Sequence, residues 1–334
     1  MESGLNWQTI VEPVRPFLDA VSRRLEEQLS HFEPEIVEPA RYALASRGKQ
    51  LRPALVGLAA TAAGGVRDEH VTVAAIIEMV HLATLVHDDV MDEADMRRQR
   101  PTLALEWGNS TAILLGDALF AHALTMAAAF PTTDVCRAVA SATRTVCSGE
   151  IIQTMRRCQF ELSREGYYRI LRMKTAELFS LACGQGAALA QARADVVAAL
   201  QRFGVMLGTA YQVYDDCVDL VGLEERAGKS LGTDLLRGKP TLPVIIAMER
   251  ATPAERNALR SLLTDWKPGN HPLLVASLQR YDAIAAAVDV VCGMCAEAAE
   301  TLELLPARPG RTALQQAADF LARHTQLLIA QGRG

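Results

Sequence analysis

Twice in this chain a helix-forming apolar stretch ends in a cluster of aspartates, and both clusters have the spacing DDxxD. The first stretch, Val73 to Asp92, carries Ile76, Ile77, Val80, Leu85 and Val86 and closes as HDDVMD at 87 to 92. The second, from about Ala198 to Leu220, carries Tyr211, Gln212, Asp215, Asp216 and Asp219. On a helix, positions i and i+4 share a face one turn apart, so Asp88 and Asp92 are predicted to project together, as are Asp215 and Asp219. Asp89 and Asp216 sit about 100° round from the first member of each set. Carboxylates gathered at the end of an apolar helix repel one another and cost desolvation unless a cation joins them. Hard oxygen donors of this type suit magnesium, which keeps waters and bridges to phosphate oxygens. One cluster alone reads equally well as a solvated helix end; two, each followed by cations, favour metal binding. A calcium loop fits poorly, because Glu93 and Gln99 stand where the EF-hand pattern needs Gly and Glu.

The cations lie beside glycine turns. Arg97, Arg98 and Arg100 follow the first cluster, and Lys229 and Lys239 follow the second within AGKSLGTDLLRGKPTLP. Gly48, Lys49, Gln50, Leu51, Arg52 and Pro53 make a further basic turn, and Lys174 with Thr175 opens another apolar stretch. Planar Arg and compact Lys near such turns are what a diphosphate requires. The rest of the chain offers no diffuse alternative: 34 Lys and Arg against 39 Asp and Glu give a net charge of −5, so no basic surplus points to nucleic acid.

Long segments rich in Ala, Leu, Glu, Gln and Arg, with few alternating patterns, predict an almost wholly helical fold. Breaks are expected at Gly64 and Gly65, Pro131 to Thr133, Gly166, Gly222 to Gly238, Lys267 to Pro272 and Pro306 to Gly310. No linker separates halves, so residues 1 to 334 read as one domain of about ten helices, a large bundle. Residues 1 to 30 read as an N-terminal helix for packing or dimer contacts. With Glu2, Glu12, Arg15, Asp19, Arg23 and Arg24, that segment lacks the apolar core of a secretory signal, and a cytoplasmic protein is expected. No membrane span is expected, because Glu78 and His81 interrupt the most apolar run, 71 to 86. The seven cysteines are odd in number and scattered, and the CxxC at 292 to 295 reads as helix packing.

These motifs, in this order, resemble the trans-isoprenyl diphosphate synthases, particularly the bacterial medium- and long-chain polyprenyl type. The resemblance runs through GKQLRP (48 to 53), HDDVMDEADMRRQRPT (87 to 102), GDALFA (116 to 121), MKTAELF (173 to 179), YQVYDD (211 to 216), GKSLGTDL (228 to 235) and GKPTLP (238 to 243). It implies an all-α bundle of the class I isoprenoid synthase type with a central apolar cavity. The implied reaction is magnesium-dependent head-to-tail condensation of an allylic diphosphate (dimethylallyl, geranyl, farnesyl or geranylgeranyl) with isopentenyl diphosphate. Asp88, Asp89, Asp92, Asp215, Asp216 and Asp219 would hold about three magnesium ions on the allylic diphosphate. Arg97, Lys174, Thr175, Gln212, Lys229 and Lys239 would line that diphosphate, with Thr175 and Gln212 also steadying the allylic cation. Lys49, Arg52, His81 and Arg98 would hold isopentenyl diphosphate. A homodimer is also implied.

Product length should follow the tunnel below Asp88. Ala83 and Thr84, five and four residues before it, are small; Val80, Ile76 and Ile77 lie deeper, and Leu119 and Phe120 on a facing helix are candidates for the floor. The family closes this pocket with a bulky aromatic for short products, and none stands here. Ile76 falls roughly 18 Å below Asp88, so a product of about 25 to 40 carbons is expected. Two departures stand out: Gln50 where the family commonly has Arg, and Gln99 where Gly often follows the paired Arg. A class I terpene cyclase and a non-catalytic subunit of a heteromeric synthase are the rivals. A cyclase needs no isopentenyl site, and such subunits generally lose one or both aspartate motifs.

Overall fold

The computed structural model describes residues 6–45, 48–222 and 231–331 and is built almost wholly from helices. In chain order these are α1 (Trp7–Val11), α2 (Arg15–Glu27), α3 (Pro34–Ala45), α4 (Leu51–Ala63), α5 (Asp68–Met91), a hairpin of β1 (Met96–Arg97) and β2 (Arg100–Pro101), α6 (Leu103–Ala128), α7 (Asp134–Met155), α8 (Arg164–Leu171), α9 (Glu177–Leu189), α10 (Ala194–Val221), α11 (Thr233–Leu236), α12 (Leu242–Arg250), α13 (Pro253–Thr264), α14 (His271–Arg280), α15 (Ala283–Thr301) and α16 (Pro309–Gln331). Short segments such as α1 and α11 carry the number of helices among the described residues above the expected ten. Gly166 does not end a helix. It lies in the first turn of α8, where its N–H donates to the capping Ser163 Oγ at 3.1 Å.

The described residues gather into two compact units. The first comprises residues up to Arg144, Leu178–Gly204 and Thr301–Ala317. Its centre is α5, where Val73, Ala74, Ile76, Ile77, Met79, Val80 and Ala83 are all buried. A helix apolar on every face must be enclosed, and α2, α4 and α6 pack on it. The expected single N-terminal helix is broken: α1 gives way to a tight turn at Glu12–Val14 before α2 begins. Pro13 and Pro16 cause the break, since neither has an N–H for the preceding turn. From α2, Phe17, Leu18, Val21 and Leu25 enter the core.

The expectation that no stretch is long and apolar enough to span a bilayer needs correcting. Both α5 and α6 reach that length and hydropathy. In α5, Glu78 is itself buried, and 72% of the most apolar window is enclosed by protein. A bundle's central helix meets the same compositional test as a membrane span. In α6 only 33% of the window is enclosed, and Leu105, Ile113 and Leu114 are exposed.

The hairpin β1–β2 was not legible in advance. Its two-residue turn, Arg98 and Gln99, has φ of +51° and +63°, the left-handed pair of a tight hairpin turn that favours Asn-Gly. Gln99 therefore carries strain at the position where the family often has Gly. Gln99→Gly should raise stability by about 0.5 kcal/mol, the balance of relieved left-handed strain against glycine's extra chain entropy. A thermal midpoint that fell would contradict this.

The second unit comprises Thr145–Glu177, Val205–Glu300 and residues from Ala318 on. Its core includes Val213, Cys217 and Leu220 of α10, Leu242 to Met248 of α12, and Val288, Val291 and Cys295 of α15. Burial pushes the Cys295 thiol up to about 12, which fits packing rather than redox chemistry for the CxxC.

Candidate active site

In the first unit, α5 runs to Met91, and the Asp92 N–H closes its last turn on the Asp88 carbonyl at 2.8 Å. The three aspartates then part company. Asp88 and Asp92 are partly exposed, whereas Asp89 is buried and accepts from Arg97 Nε at 2.7 Å. Thus Arg97, assigned from sequence to a diphosphate, is also held in place by its own motif.

Around His81, about two turns back along the same helix from Asp88, cations converge. Its imidazole is held well below the usual value, first by burial and then by the guanidiniums of Arg52, Arg98 and Arg97. Arg52 lies over the Phe179 ring at 5.1 Å, and Arg98 reaches Gly48, where a Cβ would collide with its guanidinium. Lys49 is exposed on the same turn, its carbonyl accepting from Trp7 Nε1 at 3.0 Å. Gln50, the other departure, adopts φ +47° at the start of α4 and donates to Ser22 Oγ at 3.2 Å. All four residues expected to hold isopentenyl diphosphate thus belong to this unit. Guanidiniums gathered round a neutral imidazole make a setting that favours an anion.

A testable consequence has a definite sign. In the ligand-free chain the unfolded state takes up a proton on His81 near pH 6.5 that the folded state refuses. Stability therefore falls as pH drops below that value. A bound anion raises the imidazole's affinity for a proton, so diphosphate binding near pH 6.5 should take up part of a proton. Calorimetry in buffers of different ionisation enthalpy should show this uptake in the wild type and not in His81→Gln.

In the second unit the basic and polar residues of MKTAELF lie in a π-helical turn, Arg172–Ala176, between α8 and α9. Such turns recur at functional sites. Gly149 of α7 lies close against it, and a Cβ there would stand 2.8 Å from the Lys174 nitrogen. Lys174 Nζ is paired with Glu150 and donates to Gln153 Oε1 at 3.0 Å. Thr175 Oγ1 donates to Gln212 Oε1 at 2.9 Å, and Gln212 Nε2 donates to Asp216 Oδ1 at 2.9 Å. Asp216 is buried, and its other oxygen accepts from Tyr167 OH at 2.5 Å. Burial, then the facing Asp234 carboxylate, pushes Asp216 well above the usual carboxylate range in the ligand-free chain.

Asp215 is partly exposed, and Asp219 follows one turn on along the same helix but differs in its surroundings. Asp219 is wholly buried and accepts from Thr233 Oγ1 at 2.6 Å and the Asp234 N–H at 3.0 Å. The first residues of α11 therefore close on the motif's last carboxylate. Lys239 is buried where its N–H meets the Asp234 carbonyl at 2.8 Å. Lys229 lies outside the described residues.

Among the described residues no three His, Cys, Asp or Glu side chains form a group that could by itself hold a metal ion. Partly exposed Asp88 and Asp92 in the first unit, and Asp215 in the second, each carry hard oxygen donors of the kind magnesium takes. That ion typically takes one or two carboxylates, waters and substrate phosphates rather than an all-protein cage.

Sequence reasoning passed over Glu150, Gln153, Tyr167 and Tyr42. Tyr42 braces the hairpin carrying Arg97 and Arg98: its OH donates to the Pro101 carbonyl at 2.8 Å, with Arg100 4.4 Å from its ring centroid and Trp107 4.9 Å away. Aromatics with a polar tip, placed two turns from a motif, were the only signal available.

The family model described as polyprenyl synthetase matches residues 33–275. The octaprenyl diphosphate synthase of Escherichia coli (strain K12) is 34% identical over 314 residues, covering 93% of this chain and 96% of that protein. A crystal structure of a decaprenyl diphosphate synthase from Rhodobacter capsulatus superposes with a TM-score of 0.90 at 32% identity, covering 96% and 99% of the two chains. A polyprenyl synthase from Caulobacter crescentus CB15, complexed with calcium and isoprenyl diphosphate, gives 0.90 at 31% identity, with 96% and 99% covered. The chain belongs to the polyprenyl synthetase family and has its all-α isoprenoid synthase fold. It is a prenyltransferase of the kind that elongates trans-prenyl chains, an activity its relatives carry out with a divalent metal.

Proposed function

We propose that this chain uses magnesium to join isopentenyl diphosphate head to tail onto an allylic diphosphate, yielding trans products of about 25 to 40 carbons. The observation that carries this reading is the gathering of Arg52, Arg97 and Arg98 about His81, beside the Gly48–Lys49 turn. An anion site there, in addition to the aspartate motifs, suits an enzyme that holds two diphosphates. A terpene cyclase would need only one.

Lys49, Arg52, His81 and Arg98 grip isopentenyl diphosphate. By family resemblance Arg97, Lys174, Thr175, Gln212, Lys229 and Lys239 line the allylic diphosphate; of the six aspartates the resemblance assigns to magnesium, the partly exposed Asp88, Asp92 and Asp215 are the direct ligands in this reading. Asp89, Asp216 and Asp219 act through the protein partners they already hold. Bound magnesium would supply Lewis acidity, drawing negative charge from the leaving diphosphate. The basic side chains add to that neutralisation as the allylic C–O bond breaks and diphosphate departs with the electron pair. Oxygen dipoles of Thr175 and Gln212 steady the allylic cation. The terminal alkene carbon of isopentenyl diphosphate then forms the new C–C bond, and the released diphosphate accepts the proton lost.

The chain acts as one synthase domain, a reading supported by a family match that runs through residues of both units. The exposed apolar residues Leu105, Ile113 and Leu114 of α6 support a homodimer. Charged, water-soluble starting substrates support a cytoplasmic location. Purified protein incubated with magnesium, isopentenyl diphosphate and each allylic primer should form elongated products. Release of diphosphate without isopentenyl diphosphate would replace this reading with cyclisation.

A further inference from the structure

Four side chains on the α8–π-turn segment and α10 form one continuous run of hydrogen bonds. Thr175 donates to Gln212, Gln212 donates to one oxygen of Asp216, and Tyr167 donates to the other. Each link fixes the next. Both Asp216 oxygens accept, one from Gln212 and one from Tyr167, so the Gln212 amide stands with its NH2 toward Asp216 and its oxygen toward Thr175. That oxygen in turn makes the Thr175 hydroxyl a donor and leaves the hydroxyl's lone pairs facing away from Gln212.

Without a second donor on Asp216, little would hold the carboxylate in one rotamer while Gln212 turns. Tyr167 supplies that donor from a buried position on α8, the helix that leads directly into the π-helical segment carrying Lys174 and Thr175. Thr175 and Tyr167 thus reach α10 at Gln212 and Asp216, positions one turn apart on a single face.

We propose that Tyr167 is a positioning residue for prenyl transfer, anchoring Asp216 as the hub that orients Gln212 and Thr175 toward the reacting allylic group. Asp216 then works through hydrogen bonds and not as a direct metal ligand. This rests on the proposed function, in which Thr175 and Gln212 face that group. The geometry gives Asp216 two neutral donors, one on each oxygen, in a buried setting where a half-satisfied carboxylate would be costly. Misplacing a polar group by a fraction of an ångström to one ångström near a reacting centre slows chemistry by up to about 100-fold.

The test uses full-length enzyme with magnesium, isopentenyl diphosphate and an allylic primer. Tyr167→Phe keeps the ring and removes only the hydroxyl. It should lower kcat for the first condensation by about 10-fold to 100-fold. KM for both substrates and the magnesium concentration for half-maximal rate should stay within about twofold. Asp216→Asn should give a similar loss, and the double variant should be no worse than either single one, because the groups act as one unit. Three results would overturn the proposal. One is an unchanged kcat in Tyr167→Phe, and another is an additive double variant. The third is a large rise in the magnesium requirement of Asp216→Asn, which would make Asp216 a metal ligand. Wild-type protein lacking prenyl transfer would remove the proposed function as well; normal wild-type turnover with an unaffected Tyr167→Phe removes only this inference.

Discussion

Asp88→Ala should cut turnover by about 1,000-fold or more, yet leave the thermal midpoint in chelator-containing buffer unchanged or slightly higher. Both halves of the result follow from where the carboxylate sits. Asp88, Asp89 and Asp92 crowd the C-terminal end of α5, where the last carbonyls already present negative partial charge. Asp89 is buried against Arg97, whereas Asp88 is partly exposed and adds a further negative charge to this end of the helix. Removing it costs the fold little and costs the metal site a direct donor. Asp89→Ala should behave differently, losing about 1–3 kcal/mol of stability because Arg97 is left without its buried partner. Melting curves with and without magnesium and inorganic diphosphate separate the two variants: the part of the stabilisation that depends on magnesium should vanish in Asp88→Ala. Turnover above a tenth of wild type would rule out Asp88 as a metal ligand.

Helical content, the buried character of α5 and the two motifs were legible because each is a local pattern. Apolar residues in an unbroken run dictate enclosure, and Asp at i and i+4 dictates a shared face at the end of α5. The rest depended on partners distant in sequence. Nothing in DDxxD says that Asp219 will be taken by Thr233 and the Asp234 N–H, or that Lys174 will pair with Glu150. The hairpin went unread because its turn is Arg98-Gln99, without the Gly or Asn that left-handed φ favours. The π-helical turn at Arg172–Ala176 is a one-residue local insertion that leaves apolar periodicity nearly unchanged. The prolines at 13 and 16 were visible and should have divided the N-terminal helix. Length and hydropathy misled in the other direction: two charged or polar residues do not disqualify α5 as a span by composition, and only its enclosure does.

Ala83→Phe should shift the product toward fifteen to twenty carbons while leaving the first condensation step largely intact, if the growing chain runs along α5. Ala83 is five residues before Asp88, about 7.5 Å back along the helix axis, and is wholly buried. It stands nearer the motif than Val80 or Ile76, which are also buried on this helix. A phenyl ring there fills space that a lengthening tail would need, whereas the diphosphate end of the substrate lies beyond its reach. Overpacking should cost about 1–3 kcal/mol, seen as a lower thermal midpoint, so product length and stability must be measured on the same preparation. Ile76→Phe supplies the graded control. Placed roughly 18 Å from Asp88, it should shorten the product less than Ala83→Phe despite a similar packing penalty. Chain-length distributions that move in this order would mark the direction of growth along α5. An unchanged distribution in a folded Ala83→Phe protein would place the tunnel on another face, and equal shortening by both variants would trace the effect to general destabilisation.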